Sequence, residues 1–251
     1  MNDNPFADFS MLTFDCYGTL IDWESGIWRA LQPLLRANAE PGAADENDTR
    51  ARMLAAFARH ESAVQSESPS MPYPDVLAQT HMRIAAERKF RASAEMRETF
   101  GNSVGDWPAF EDSAEALRIL KNKFHLGILS NVHRAGFAAS ARKLGVEFDE
   151  IFTAEEIGAY KPDPKNFQYM LAELSKRRGL LPGAVLHAAQ SIFHDIKPGR
   201  EAGLSLVWID RQNLSGGGDW GATAKVEDAP RPDWTFPDLL SFARMSNAKA
   251  E

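Results

Sequence analysis

The chain has 251 residues, of which 44% are hydrophobic, enough for one large α/β domain with an inserted unit. Its formal net charge is -7 and it has no basic cluster, which argues against binding to nucleic acid or to an anionic membrane. It has neither a signal-peptide pattern nor an apolar run near the roughly 18 residues of a membrane span, so we expect a cytoplasmic protein with a small ligand.

The first predicted element is a buried strand that carries a carboxylate at its carboxyl end. Residues 12–19 read Leu-Thr-Phe-Asp-Cys-Tyr-Gly-Thr, an apolar run that ends at Asp15. Open α/β sheets bind their ligands at this edge, and Gly18 permits a tight turn out of the sheet. A lone aspartate after a strand is more often a helix cap or turn former, but this one is also placed like a nucleophile.

The next segment has helical spacing and no strand signal. Four helices are predicted, over residues 20–39, 49–65, 74–90 and 93–100, with a break at 40–48. The sequence therefore predicts a helical domain, 22–103, inserted into a core domain formed by 1–21 and 104–251.

Strands and helices alternate after this insertion. Strands are predicted over residues 125–130, 150–152, 184–189, 204–209 and 233–236, the last at a sheet edge. Helices are predicted over 112–123, 133–144, 163–176 and 195–201, with one more at the end of the chain. This alternation predicts an α/β fold with a doubly wound, mainly parallel, Rossmann-like sheet.

Several polar groups follow predicted strands in the loops where such a sheet binds its ligands. They are Asp15 with Thr19, Ser130 with Asn131, Lys161, and Asp195. Each alone has an ordinary explanation as a cap, a turn residue or a solvated lysine, but their joint occurrence in this order favours a site. A carboxylate nucleophile must lose its hydration and be held by fixed donors, which hydroxyl and ammonium groups provide.

These motifs resemble those of the haloacid dehalogenase superfamily. The resemblance rests on FDCYGTL at 14–20, SN at 130–131, KPDP at 161–164 and Asp195-Ile196 before Gly203, and the helical insertion is similar to the superfamily's cap domain. Most members are magnesium phosphatases with a DxDxT motif, whose second acid protonates the leaving group. Here Tyr17 replaces that acid, and Ser191 stands where those enzymes have an acidic metal ligand. The first motif resembles instead the type II 2-haloacid dehalogenases, which use no metal.

The resemblance implies that Asp15 displaces halide from C2 of a short 2-haloalkanoic acid and forms an aspartyl ester. Water then hydrolyses the ester to a 2-hydroxy acid, without metal or cofactor. Thr19 and Lys161 would orient Asp15, and Asp195 would pair with Lys161 and position the water. The family also implies a possible homodimer.

The resemblance also implies a set of substrate contacts. Ser130 and the loop with Tyr17 would hold the substrate carboxylate, while Asn131 and a cap arginine would hold the halide. Arg59 fits the family pattern best, and Arg52 and Arg29 are the other candidates. An arginine suits a halide because its broad fork of donors stays charged at any working pH.

The chain departs from the family pattern around the water site. Phe167 replaces a tyrosine, and Gln190 and Ile192 replace a serine and an asparagine. Gln190, His187 or His194 could supply replacement contacts, although a strand histidine such as His187 is more often a satisfied core residue. Two other functions stay open: a magnesium-dependent small-molecule phosphatase, and a non-catalytic relative that binds a small carboxylate or a partner protein.

Overall fold

The computed structural model describes residues 4–38, 46–222 and 224–247. Within them, six strands form one sheet in which every neighbouring pair is parallel. They are β1 (Met11–Phe14), β2 (His125–Ser130), β3 (Glu150–Thr153), β4 (Val185–Ala189), β5 (Ser205–Ile209) and β6 (Trp234–Phe236). The order across the sheet is β3-β2-β1-β4-β5-β6, which confirms the predicted doubly wound α/β fold.

The apolar run at the start of the chain forms an inner strand. All four residues of β1 are buried, and Met11 lies opposite His125 of β2 on one side and Val185 of β4 on the other. A parallel strand covered on both faces reads as a continuous apolar run rather than an alternating one. The edge position predicted for β6 is also confirmed.

Helices form the insertion and also flank the sheet. Four form the insertion that follows β1: α1 (Trp23–Ala37), α2 (Glu46–Glu67), α3 (Tyr73–Arg88) and α4 (Ala94–Gly101). The others are α5 (Ser113–Lys121), α6 (Arg134–Leu144), α7 (Ala154–Ile157), α8 (Lys165–Arg178), α9 (Lys197–Glu201) and α10 (Leu239–Asn247). In the described part of the chain, none of these helices combines the length and apolarity needed to cross a membrane.

Several helix starts differ from prediction, among them that of α1, which begins at Trp23 rather than at residue 20. Two other differences have a clear physical cause. The helix expected from Thr49 begins at Glu46, because acidic residues such as Asp48 are favourable in a first turn; residues 39–45 of the predicted break lie outside the described residues. The helix expected over 195–201 is divided into a π-helical turn, Ile192–Ile196, and α9. Pro198 fits only the first turn of an α-helix, so α9 starts anew beside it.

Candidate active site

The fold gathers the predicted polar groups at the carboxyl ends of the inner strands. Asp15 directly follows β1, Ser130 ends β2, and Asp195 lies in the π-helical turn after β4. Lys161 comes from the loop between α7 and α8 and is 2% exposed. The structure thus brings together Asp15, Lys161 and Asp195, which are distant in sequence.

Lys161 joins the two aspartates. Its Nζ donates to Asp15 Oδ1 at 2.9 Å, to Asp195 Oδ1 at 2.6 Å and to the carbonyl oxygen of Leu129 at 3.0 Å. An ammonium has three N–H donors, so none is left for another partner. Lys161 therefore acts on the carboxylates rather than on a ligand.

The second oxygen of Asp15 is held by the turn that follows β1. Thr19 Oγ1 donates to Asp15 Oδ2 at 2.9 Å and accepts from the backbone N–H of Gln190 at 2.9 Å. The amide of Gln190 thereby directs the hydroxyl proton of Thr19 to Asp15. Gly18 closes the turn with φ of +100°, a conformation that residues with a Cβ rarely adopt. Both oxygens of Asp15 are fixed before any substrate arrives.

The charges of this buried group depend on one another. Burial raises the pKa of Asp15, an effect that the Lys161 ammonium opposes and the nearby Asp195 increases. Burial acts against the charge of Lys161, but the two carboxylates outweigh it and raise its pKa. Burial likewise opposes ionisation of Asp195, yet Lys161 and His187 hold its pKa below the usual value. Lys161 and Asp195 therefore remain an ion pair at neutral pH.

A cavity of about 140 Å³ opens onto Asp15, Lys161 and Asp195. Its opposite wall comes from α1, α2, α3 and the segment before α5, and much of that wall is aromatic. The aromatic residues of this wall are Trp23, Phe57, Tyr73 and Trp107, and Tyr17 and Phe193 line the cavity from the side of the sheet. Tyr17 packs edge-on against Trp107, with ring centroids 5.3 Å apart, and its hydroxyl lies 3.0 Å from Ser140 Oγ. The cavity therefore exposes the carboxylate of Asp15 to a largely apolar space.

Of the predicted substrate contacts, Asn131 lines this cavity and Ser130 is buried beside it in sequence. The amide of Asn131 donates to the carbonyl oxygen of Lys161 at 3.0 Å and accepts from its backbone N–H at 2.7 Å. Asn131 thus holds the lysine loop in place. Ser130 Oγ is buried without a hydrogen-bond partner among the described residues.

The structure does not bring Arg59 to the cavity. Its side chain is 58% exposed and donates to Glu87 at 2.6 Å. The residues of α2 that face the cavity include Phe57, Glu61 and Gln65, which repeat every four positions. Arg59 lies two positions from Phe57 and so points to another side of the helix.

The two alternative arginines are also elsewhere. Arg52 is exposed and pairs with Asp48 on α2. Arg29 is exposed on α1, beside a separate surface groove. No arginine is among the described residues that line the cavity.

Glu61 is a site residue that the sequence reasoning missed. Its Oε1 accepts a hydrogen bond of 2.6 Å from the Tyr73 hydroxyl across the wall of the cavity. Burial raises the pKa of Glu61 to about 7, against the opposing effect of that hydrogen bond. Its four-residue spacing from Phe57 was the available signal, since both lie on the apolar face of one helix.

Two histidines lie near Asp195 with different roles. His187, in β4, is fully buried, and its Nε2 lies 3.2 Å from Asp195 Oδ1. His194 lines the cavity, and burial lowers its pKa to about 4, so it is neutral at neutral pH. Its Nδ1 lies 3.1 Å from Ser191 Oγ. His187 is thus a core residue that also contacts the site.

The donor set does not fit a magnesium ion. Within the described residues, no group of three or more His, Cys, Asp and Glu side chains is arranged to hold a metal. One oxygen of Asp15 and one of Asp195 are bound to Lys161, and Ser191 offers only a hydroxyl bound to the backbone N–H of His194. Hard cations need several carboxylate or carbonyl oxygens in one shell.

Comparisons with known proteins identify the family of this chain. The family model for haloacid dehalogenase-like hydrolases matches residues 9–203. The chain is 26% identical to the (S)-2-haloacid dehalogenase 4A of Burkholderia cepacia, over 79% of this chain and 82% of that protein. It is 31% identical to the glyceraldehyde 3-phosphate phosphatase of Methanocaldococcus jannaschii, over 39% of this chain and 38% of that protein.

Solved structures match the fold over nearly the whole chain. The L-2-haloacid dehalogenase of Xanthobacter autotrophicus with chloropropionic acid covalently bound has a TM-score of 0.74 at 18% identity, covering 96% of this chain and all (100%) of that one. At this identity the likeness establishes the fold alone. The family model, which spans most of the chain, establishes more: this protein belongs to the haloacid dehalogenase-like hydrolases.

Proposed function

We propose that this hydrolase is a dehalogenase of short 2-haloalkanoic acids that works through an aspartyl ester on Asp15, without a metal ion. The observation that carries the proposal is the state of Asp15, which is held on both oxygens by Lys161 and Thr19 and faces a largely apolar cavity. Tyr17 stands where the phosphatases of the superfamily have a proton donor. The site is therefore suited to a leaving group that departs as a stable anion, as halide does.

In the first step, a carboxylate oxygen of Asp15 attacks C2 of the substrate and the carbon-halogen bond breaks. Lys161 and Thr19 fix the nucleophile, which reduces the entropic cost of reaching the transition state. In this proposal the aromatic wall limits the hydration of the nucleophile and surrounds the departing halide. This wall takes the place that the family pattern assigns to a cap arginine. In this proposal the hydroxyl of Ser130, which has no hydrogen-bond partner within the described ranges, receives the substrate carboxylate.

In the second step, water attacks the carbonyl carbon of the ester, and the 2-hydroxy acid leaves. Asp195 is the base we assign to this water, because Lys161 occupies its Oδ1 while Oδ2 has no partner among the described residues. Two relatives add support: the curated dehalogenase from Burkholderia cepacia, and the structural neighbour from Xanthobacter autotrophicus, which carries a covalently bound chloropropionic acid.

The magnesium-dependent phosphatase is the second candidate, and the partial match to an archaeal phosphatase favours it. That match covers 39% of this chain, and the metal-donor set described above does not suit it. A chelator separates the two functions. We expect halide and 2-hydroxy acid in equal amounts from 2-chloropropionate in excess EDTA. Magnesium-dependent release of phosphate from small phosphate esters, without any halide release, would contradict the proposal.

We expect binding of 2-haloacids to weaken as the pH rises through the pKa of Glu61. With that pKa at about 7, Glu61 is neutral below pH 7 and negatively charged above it, where it repels an anionic substrate. The KM for 2-chloropropionate should rise about three- to tenfold between about pH 6 and about pH 8. Glu61→Gln should keep the KM low at both values while kcat changes little.

A matched control is Glu98→Gln, which removes an exposed carboxylate from α4. This variant should keep the wild-type pH dependence. An equal rise of KM in Glu61→Gln and in the wild type would show that Glu61 does not face the substrate.

We further propose that residues 22–103 form the cap domain of this enzyme. The homodimer and the cytoplasmic location stay predictions.

A further inference from the structure

His187 occupies an unusual position for a polar residue. It lies in the middle of β4, is completely buried, and is directly opposite Thr13 in the register of β1 and β4. Its Nδ1 lies 2.9 Å from Thr13 Oγ1, and its Nε2 lies 3.2 Å from Asp195 Oδ1. The imidazole therefore links an inner strand of the sheet to the site.

The protons on this ring follow from its partners. A carboxylate only accepts hydrogen bonds, so Nε2 of His187 carries a proton and donates it to Asp195. Thr13 Oγ1 holds the other ring nitrogen, Nδ1, at 2.9 Å and also donates to the carbonyl oxygen of Leu186 at 3.3 Å. Phe167 packs edge-on against the ring with centroids 5.2 Å apart. Contacts at both ring nitrogens and with Phe167 therefore fix the orientation of the ring.

Asp195 is consequently held in an asymmetric way. Its Oδ1 accepts from both Lys161 and His187, while its Oδ2 is buried with no partner among the described residues. Asp195 also lines the cavity. A buried carboxylate oxygen without a donor is costly unless a ligand or a water reaches it. The arrangement leaves one oxygen of Asp195 free to act.

Lys161 alone does not determine which oxygen is free. Its ammonium is shared with Asp15, and a single donor allows the carboxylate to turn about its terminal bond and exchange its oxygens. A second donor on Oδ1, rigidly mounted on β4, prevents this exchange. The orientation of Asp195 therefore depends on His187.

We propose that His187 is a positioning residue for the ester-hydrolysis step of the function proposed above, and that it acts by aiming Asp195 Oδ2 at the attacking water. In that step the water oxygen bonds to Cγ of Asp15 and one water proton passes to Asp195 Oδ2. The bond from Cγ to the substrate oxygen then breaks, and Asp195 returns the proton to that oxygen. The second proton leaves the regenerated carboxyl of Asp15 to solvent.

The test separates the two half-reactions. Single-turnover rapid-quench measurements with 2-chloropropionate would follow halide and 2-hydroxy acid separately in wild type, His187→Leu and His187→Gln. His187→Leu should retain the halide burst but slow 2-hydroxy acid formation about 10- to 100-fold, as expected for losing one hydrogen bond to a charged group. The ester on Asp15 should then accumulate and be visible by mass spectrometry. His187→Gln, which keeps an N–H near the position of Nε2, should recover most of the rate.

A second variant serves if His187→Leu does not fold. Thr13→Val keeps the shape of residue 13 but removes the hydroxyl that holds Nδ1, so it loosens the ring of His187 and should slow the same step by a smaller factor. Equal slowing of both half-reactions, or no slowing of either, would overturn the assignment of His187. An absence of halide from the wild-type enzyme would instead refute the dehalogenase function.

Discussion

Replacing Asp15 with asparagine is expected to eliminate halide release from 2-haloacids, with a loss of at least about a thousandfold. An amide in the place of the carboxylate has no anionic oxygen to attack C2, and the remaining residues of the site offer no second nucleophile aligned by Lys161 and Thr19. The fold should survive, because Lys161 keeps its ion pair with Asp195. Halide release under single-turnover conditions is the measurement.

Asp163→Asn is the matched control, since it makes the same change at an exposed position two residues beyond Lys161. It should leave the rate unchanged. Hydrolysis of wild-type ester in heavy-oxygen water should place label in the peptide that contains Asp15. Substantial halide release by Asp15→Asn, or label found only in the product, would show that water attacks C2 directly.

Replacing Lys161 with methionine should reduce both activity and stability. The change leaves Asp15 and Asp195 buried without their shared cation, and removal of one partner from a buried ion pair costs about 3–5 kcal/mol. The free energy of unfolding, obtained from denaturant titration, should fall by this amount at neutral pH. Halide release should also become very slow, because Asp15 then takes up a proton more readily.

The loss of stability in Lys161→Met should depend on pH in a defined direction. Without Lys161, the folded-state pKa values of Asp15 and Asp195 lie above their unfolded values, so stability is lost as the pH rises through them. The deficit should be smaller at about pH 5 than at about pH 8. Lys165→Met, at an exposed position of α8, should show no such dependence. A deficit equal at both pH values would indicate that packing, rather than charge, is the main contribution of Lys161.

The strands and the ends of the strands could be predicted from sequence, and the wall of the cavity could not. A short apolar run such as Met11–Phe14 predicts both a strand and its burial. The position of Asp15 at the end of that strand could therefore be predicted as well. The side of α2 that faces the cavity depends on how the helix packs against its neighbours. Arg59, which the sequence pattern favoured as the halide-binding arginine, lies only two residues before Glu61, which lines the cavity. Two residues along a helix are enough to point the side chain in a different direction.

His187 shows a second limit of sequence reasoning. A histidine within a buried strand reads as a core residue, and the structure confirms that it is fully buried. Its contact with Asp195 arises from the π-helical turn after β4, which brings residues 187 and 195 within hydrogen-bond distance. No local sequence pattern predicts such a turn, because its formation depends on how Ser191 and the start of α9 pack.

The shared ammonium of Lys161 has a consequence for which ions can enter the site. Two carboxylates and one lysine leave a net negative charge beneath the cavity, and every N–H of that lysine is already engaged. An approaching dianion meets twice the electrostatic repulsion of a monoanion of the same size. Under the proposed function, this repulsion would favour a halogenated monocarboxylate over a fully ionised phosphate ester before any bond is broken.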